Sequence, residues 1–222
     1  KIDFFTQVAH EIRTPLTLIN GPLESMLEMD IPDKDIRSNL KIMSRNTSEL
    51  LTLINQLLDF RKIDNNRMAL TFTTIDVQES LNDAFQRFKS LALSEGRRME
   101  LTLSDEPAYI SGDRNAIVKI FNNLFSNAIK YSAPGGRITV KIWQGEYKAF
   151  IEIIDQGRGI PPEDLENVKT KFYKGSNSVR GSGIGLALVD SIMTALDGTM
   201  DIQSTLGRGT VVTLGLPLYH KA

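Results

Sequence analysis

The 222 residues are 41% hydrophobic and 24% charged, which supplies one large or two modest cores and excludes a disordered chain. A formal net charge of -1 leaves no broad basic field for a phosphodiester backbone, so direct nucleic-acid binding by this segment is not expected. The absence of cysteine rules out a disulfide framework or a thiolate metal site.

The first predicted element is a helix carrying Ile2, Phe5, Ala9, Ile12, Leu16, Ile19, Leu23 and Met26 in alternating steps of three and four. Because residue 1 already lies inside this pattern without a capping residue, the helix is expected to continue upstream of Lys1. No run approaches the roughly 20 apolar residues that cross a bilayer. Pro32 and the aspartates around it end the first helix, and a second stripe follows through Ile36, Leu40, Met43, Thr47, Leu50, Ile54 and Leu57. Leu27, Leu51 and Leu58 widen the stripe beyond what two helices can bury, so the hairpin is expected to dimerise into a four-helix bundle.

Asn65, Asn66 and Arg67 break the helical period and mark a domain boundary, after which Leu70 and Phe72 begin a strand-like alternation. Asp76 can cap a helix reaching Leu93, Met99 to Leu103 and Ala108 to Ile110 read as strands, and Asp113 can cap a helix ending near Tyr131. Arg137 to Trp143 and Tyr147 to Ile154 form a predicted hairpin. A polar, glycine-punctuated stretch runs from Gly157 to Gly183, then come a helix from Ile184 to Leu196 and strands at Thr199 to Ser204 and Gly209 to Leu216. The sum is a mixed sheet with helices on one face, an α+β sandwich.

His10 falls between the seam positions Ala9 and Ile12 and is therefore expected to point off the buried stripe. A neutral imidazole can attack phosphorus, and the adjacent carboxylate of Glu11 can orient or deprotonate it. Thr14 shares the helical face of His10, where it can position a water or bond a backbone carbonyl freed by Pro15; Pro15 itself suggests a bend. His220, the other histidine, reads as an inert tail residue.

Asn123, Asn127 and Lys130 recur at i, i+4 and i+7 of the predicted helix, a polar row whose amide oxygens suit a hydrated Mg²⁺ and whose lysine suits phosphate. Asp155, at a strand end ahead of Gly157, Gly159 and Ile160, can accept a hydrogen bond from an exocyclic amine, the glycines letting backbone approach a flat ligand. Gly181, Gly183, Gly185 and Leu186 open a helix whose free amides favour phosphate. Gly207-Arg208-Gly209-Thr210 adds a third glycine cluster.

The run His10-Glu11-Ile12-Arg13-Thr14-Pro15 resembles the phosphoacceptor motif of sensor histidine kinases, and the later segments resemble the ATP-binding domain that those kinases share with Hsp90, MutL and type II topoisomerases. The resemblance implies a dimerisation and phosphoacceptor domain over 1–66 and a catalytic domain of the GHKL (Bergerat) type over 67–222. It implies His10 as the phosphorylated residue, Glu11 as base, and Thr14 as an aid to dephosphorylation of a response regulator. It implies Asn127 as a magnesium ligand, Asn123 lining the same pocket, and Lys130 and Tyr131 near phosphate and nucleoside. Asp155 falls on the adenine amine and Thr210 in the same pocket; Pro161 to Arg180 become a lid, with Lys174 aiding transfer. Lys169 stands where the family commonly has an aromatic residue. Leu57 to Asp64 is similar to segments of hybrid two-component proteins.

The expected activity is autophosphorylation of His10 by Mg-ATP and transfer to an aspartate of a receiver domain, in a homodimer. The segment would be cytoplasmic and its parent anchored in the inner membrane through upstream segments. A nucleotide-driven clamp leaves His10-Glu11 unexplained, and a regulator phosphatase or scaffold draws on Thr14 and Lys169.

Overall fold

The computed structural model describes residues 2–29, 31, 33–64, 70–170, 173 and 183–219, and for 2–8, 10, 11, 49, 57 and 59–64 the backbone alone. The chain divides into two compact units, Lys1–Met68 and Ala69–Ala222.

The first unit is a helical hairpin of α1 (Ile2–Glu28) and α2 (Lys34–Asp64). Asp33 starts α2 by accepting the amides of Asp35 at 2.8 Å and Ile36 at 3.1 Å, satisfying donors that the helix cannot. Helix α1 runs unbroken through Pro15 and through Pro22, a second interior proline that sequence reasoning passed over. The two helices are cross-tied by Arg13 Nη2 donating to Asn55 Oδ1 at 2.5 Å and Ser48 Oγ donating to Asn20 Oδ1 at 3.4 Å, an antiparallel pairing.

The single apolar stripe expected on each helix separates into two. Ala9 and Leu23 on α1, and Thr47 and Ile54 on α2, are buried between the helices, with Leu16 and Leu40 half-buried on the same lines. Ile12, Ile19 and Met26, and Ile36, Met43 and Leu50, again spaced by seven, stay exposed at 45–51%. Ile12 is thus not a buried neighbour of His10, as the seam pattern suggested, because it belongs to the second line.

The second unit begins with β1 (Thr73–Asp76), paired antiparallel with β3 (Tyr109–Gly112). This strand starts later than the alternation from Leu70 implied. A five-stranded sheet is ordered β2 (Arg98–Thr102), β4 (Arg137–Gln144), β5 (Lys148–Asp155), β7 (Gly209–Pro217) and β6 (Thr199–Thr205). Only β2 and β4 run parallel in it, which makes the sheet mixed.

The helices α3 (Val77–Ser94), α4 (Arg114–Tyr131) and α6 (Gly185–Ala195) cover one face. Period-two alternation delivers Ile138, Val140, Ile142, Ile151, Ile153 and Leu214 to that covered side, where they are buried. Asp76 and Asp113 cap α3 and α4 as expected, Asp76 Oδ1 accepting from Gln78 at 3.0 Å and Asp113 Oδ1 from Ala116 at 3.0 Å. Inside the glycine-punctuated stretch the structure adds a short helix, α5 (Pro162–Leu165), which Pro162 at its first turn favours.

The core between α4 and its neighbours is aromatic: Phe121 stacks on Phe125 at 6.2 Å, and Phe88 meets Phe125 edge-on at 5.6 Å. Phe121 is fully buried. Phe121→Ala is expected to lower the stability of the second unit by about 3–5 kcal/mol, read from its urea midpoint.

Candidate functional site

Helix α4 buries Ile117, Ile120, Phe121, Leu124, Phe125 and Ala128 and leaves a polar row on the adjoining face. In that row Asn123 and Asn127 are half-buried and Lys130, in the last turn, is exposed. Asn123 spends an amide hydrogen on the Lys119 carbonyl at 2.8 Å, which fixes its rotamer. Its Oδ1 then faces the start of α6, where a Cβ on Gly185 would lie 2.9 Å from it and 3.9 Å from Asn127 Nδ2. A side chain at 185 would displace the Asn123 amide, and the close approach sets the first turn of α6 beside both asparagines. Ile184 precedes that helix without a side-chain cap, and the N-terminus of a helix is where backbone amides and the helix dipole favour an anion.

Asp155 ends β5, opposite Ile138 on β4 and Thr210 on β7. Burial pushes its carboxyl up to about 6, against the pull of the Gly157 and Thr210 backbone amides. Its Oδ1 is buried with no hydrogen-bond partner among the described residues. A buried acceptor without a donor costs about 1–3 kcal/mol, so a donor brought to this oxygen would relieve that cost.

Two glycines make the surrounding backbone possible. A Cβ at Gly157 would strike the Tyr131 carbonyl and would lie 2.5 Å from Asp155 Oδ1. Gly159 has φ +69°, and a Cβ there would strike the Thr205 carbonyl. Between them the Arg158 amide donates to the Tyr131 carbonyl at 3.3 Å, and the Arg158 carbonyl accepts from Gly207 at 2.7 Å. Ile160 donates its amide to Ser204 Oγ at 2.8 Å; that hydroxyl donates to the Gly209 carbonyl at 2.8 Å and lies 3.0 Å from Thr210 Oγ1. Thus the loop after β5 is bonded both to the end of α4 and to the turn between β6 and β7.

Cations flank the Tyr131 ring, with Lys130 Nζ 4.8 Å and the Arg158 guanidinium 4.7 Å from its centroid. Ser132, the next residue, is buried with no partner for its Oγ among the described residues, and its carbonyl accepts from Arg97 Nη2 at 3.2 Å.

The structure brings Asn123, Asn127 and Gly185 together, and it brings Tyr131, Asp155, Gly157, Gly159, Ile160 and Thr210 around one loop. Gly183 has φ +69° ahead of α6, and Leu186 is half-buried in that helix's first turn. Thr14 is exposed on α1. His10 and Glu11 lie on the α1 backbone, their side chains outside the described residues, as are Lys174, Gly181 and His220 altogether. Sequence reasoning missed Ser204 and Arg158. Ser204 carries no signal, since its partner Ile160 is 44 residues away, whereas Arg158 sits between two glycines already singled out.

A family model described as "Histidine kinase-, DNA gyrase B-, and HSP90-like ATPase" matches residues 112–220, and one described as "His Kinase A (phospho-acceptor) domain" matches residues 1–66. The chain belongs to the sensor histidine kinases. It is 32% identical over 225 residues to histidine kinase P4 of Formosa agariphila, covering 98% of this chain and 16% of that protein. Sensor histidine kinase WalK of Bacillus subtilis is 30% identical over 224 residues, covering 97% of this chain and 36% of that one. The kinase core therefore spans well under two thirds of these relatives. Among solved structures, mycobacterial sensor histidine kinase MprB aligns with TM-score 0.60 and 28% identity over 68% of this chain and 100% of that one. Full-length ShkA, solved in complex with AMPPNP, aligns with TM-score 0.80 over 100% of this chain and 47% of that one; at 22% identity this likeness is one of fold.

The raised Asp155 carboxyl fixes a pH dependence. Its folded value, about 6, lies above the ordinary Asp value of 3.8, so between the two the folded state holds the extra proton. Stability consequently falls as pH rises through that window, and the full cost is present above it. In nucleotide-free protein, Asp155→Asn is expected to be more stable than wild type at pH 7 by on the order of 2 kcal/mol, with the advantage gone near pH 4. Denaturation midpoints across pH 4–8 check this.

Proposed function

We propose that this kinase core binds Mg-ATP in the second unit, phosphorylates His10, and passes the phosphate to an aspartate of a response-regulator receiver domain. The observation that carries the nucleotide half is Asp155 Oδ1, a buried acceptor without a donor among the described residues, beside a backbone cradle that admits only glycine at 157 and 159. An adenine amine is a donor of the right kind for it. The first turn of α6, beside Asn123 and Asn127, supplies amides for phosphate, and Lys130 adds a positive charge.

Among the described residues no group of three His, Cys, Asp or Glu could hold a metal ion; Asn127 would be the protein ligand of a Mg²⁺ carried by the triphosphate. Bound there it would neutralise charge on the transferring group. His10 supplies the nucleophile: a bond forms from its imidazole nitrogen to the γ-phosphorus, the bridging P–O bond breaks, and ADP leaves with that electron pair. Glu11 takes the imidazole proton. Lys174 supports the transfer by charge, and Thr14 serves the reverse traffic, positioning water for dephosphorylation of the regulator.

Domain roles follow a division at 66/67. The exposed heptad lines Ile12, Ile19, Met26 and Ile36, Met43, Leu50 support a homodimer, since a second hairpin gives them the burial that one hairpin cannot. Among the described residues no helix is long and apolar enough to cross a membrane. The parent protein is proposed to be anchored in the inner membrane through segments upstream of this cytoplasmic one.

With γ-labelled ATP, the wild-type chain is expected to acquire acid-labile phosphate, and His10→Ala and Asn127→Ala to acquire none. Label persisting in His10→Ala would overturn the assignment. Thr14→Ala is expected to keep the label and to slow loss of phosphate from a phosphorylated receiver domain by roughly tenfold or more.

A further inference from the structure

We infer that Lys169 is a positioning residue for the nucleotide site, a brace that holds the start of α6 against the asparagine row. Its ammonium donates to the Met200 carbonyl at 2.6 Å and lies 3.4 Å from Asp190 Oδ1. Those contacts join a non-helical run following α5 to β6 and to α6. The inference rests on reading that site as a nucleotide site.

Each contact has a physical reason. β6 is the edge strand of its sheet, so half of its carbonyls point away from β7 and need another partner. Lys169 provides one for Met200, a buried residue whose carbonyl can reach little water. Asp190 lies five residues into α6 from Gly185, so holding it holds the helix that meets Asn123 and Asn127. The Lys169 and Asp190 side chains are 35% and 42% exposed, so the ion pair is screened and the charge-assisted bond to the carbonyl carries more of the effect.

The run itself is held in place independently. Asp164, which is buried, accepts from Tyr173 Oη at 2.5 Å, and amide bonds from Asn167 to Asp164 at 2.9 Å and from Thr170 to Asn167 at 2.8 Å form successive turns. Lys169 therefore projects from a fixed base. Arginine can keep both contacts; methionine, of similar length, keeps neither.

The test uses the full chain. In Lys169→Met, hydrogen exchange at the Leu188 amide, which bonds the Ile184 carbonyl at 2.8 Å across the first turn of α6, is expected to quicken by roughly 3–10-fold, while amides in the middle of α4 keep their protection. Affinity for Mg-AMPPNP should fall by a similar factor of roughly 3–10, and Lys169→Arg should stay within about 2-fold of wild type in both measurements. Asp190→Asn, which spares the carbonyl bond, should shift both in the same direction by less. Unchanged Leu188 exchange in Lys169→Met, or an equal loss in Lys169→Arg, overturns the brace. If Lys169→Met does not fold, unchanged Leu188 exchange in Asp190→Asn does so. A wild-type chain that binds no Mg-AMPPNP overturns the nucleotide reading instead, and the exchange measurement still decides the brace.

Discussion

A carboxylate at the end of β5 is held largely out of water, with its Oδ1 buried and without a hydrogen-bond partner among the described residues. Strand register puts Asp155 between Ile138 and Thr210 on the central strand of the sheet, which fixes its backbone position. The loop that follows is bonded to the end of α4 and to the turn between β6 and β7. Gly157 sits so close to Asp155 Oδ1 that any side chain there would close the space in front of it. The second unit supplies what holds this acceptor in place: a buried core around β5, and glycines where β5 stops.

The first unit obeys a different constraint. An α-helix with one buried neighbour needs one apolar line per helix, yet each helix here carries two, offset so that Leu23 is buried while Met26 is exposed. Both lines keep a spacing of seven, so both suit helices packed at a shallow angle. The polar cross-ties Arg13 to Asn55 and Ser48 to Asn20 sit beside the inner line and fix the register of the hairpin. With register set inside one chain, the outer line is free to specify association between chains.

Much of this was legible in the residues because the signals were local. Asp33, Asp76 and Asp113 announce helix starts through bonds to amides two or three positions on, and alternation in Arg137 to Ile154 fixes which side chains enter the core. The spacing of Asn123, Asn127 and Lys130 is by itself enough to put them on one face of α4. What was not legible depended on distant partners. The two fates of the apolar stripe are set by which line meets the other helix, and Ile12 and Ala9 look alike in the pattern. Ser204 bonds Ile160 across 44 residues, and Lys169, which resembled a lost aromatic contact, is a polar one to elements 21 and 31 residues further on. Short α5 was hidden because four residues give no period to detect.

The cost stored at Asp155 also explains why a fold would retain it. An acceptor that burial has already stripped of water gains nearly the full value of a hydrogen bond when a donor arrives, because no competing water bond must be broken. The same group in an exposed loop would exchange one partner for another and gain little. Destabilisation of the free unit and affinity for its ligand are thus two sides of one term, and by linkage a ligand at about 100 times its dissociation constant returns about 2.7 kcal/mol to the folded state. The asparagine row contributes on a different principle, since Asn123 is already bonded to Lys119 and its geometry is set in advance. One half of the site therefore gains by relief of an unpaired group and the other by preorganisation, and Gly185 is where α6 must stand for both halves to meet the same molecule.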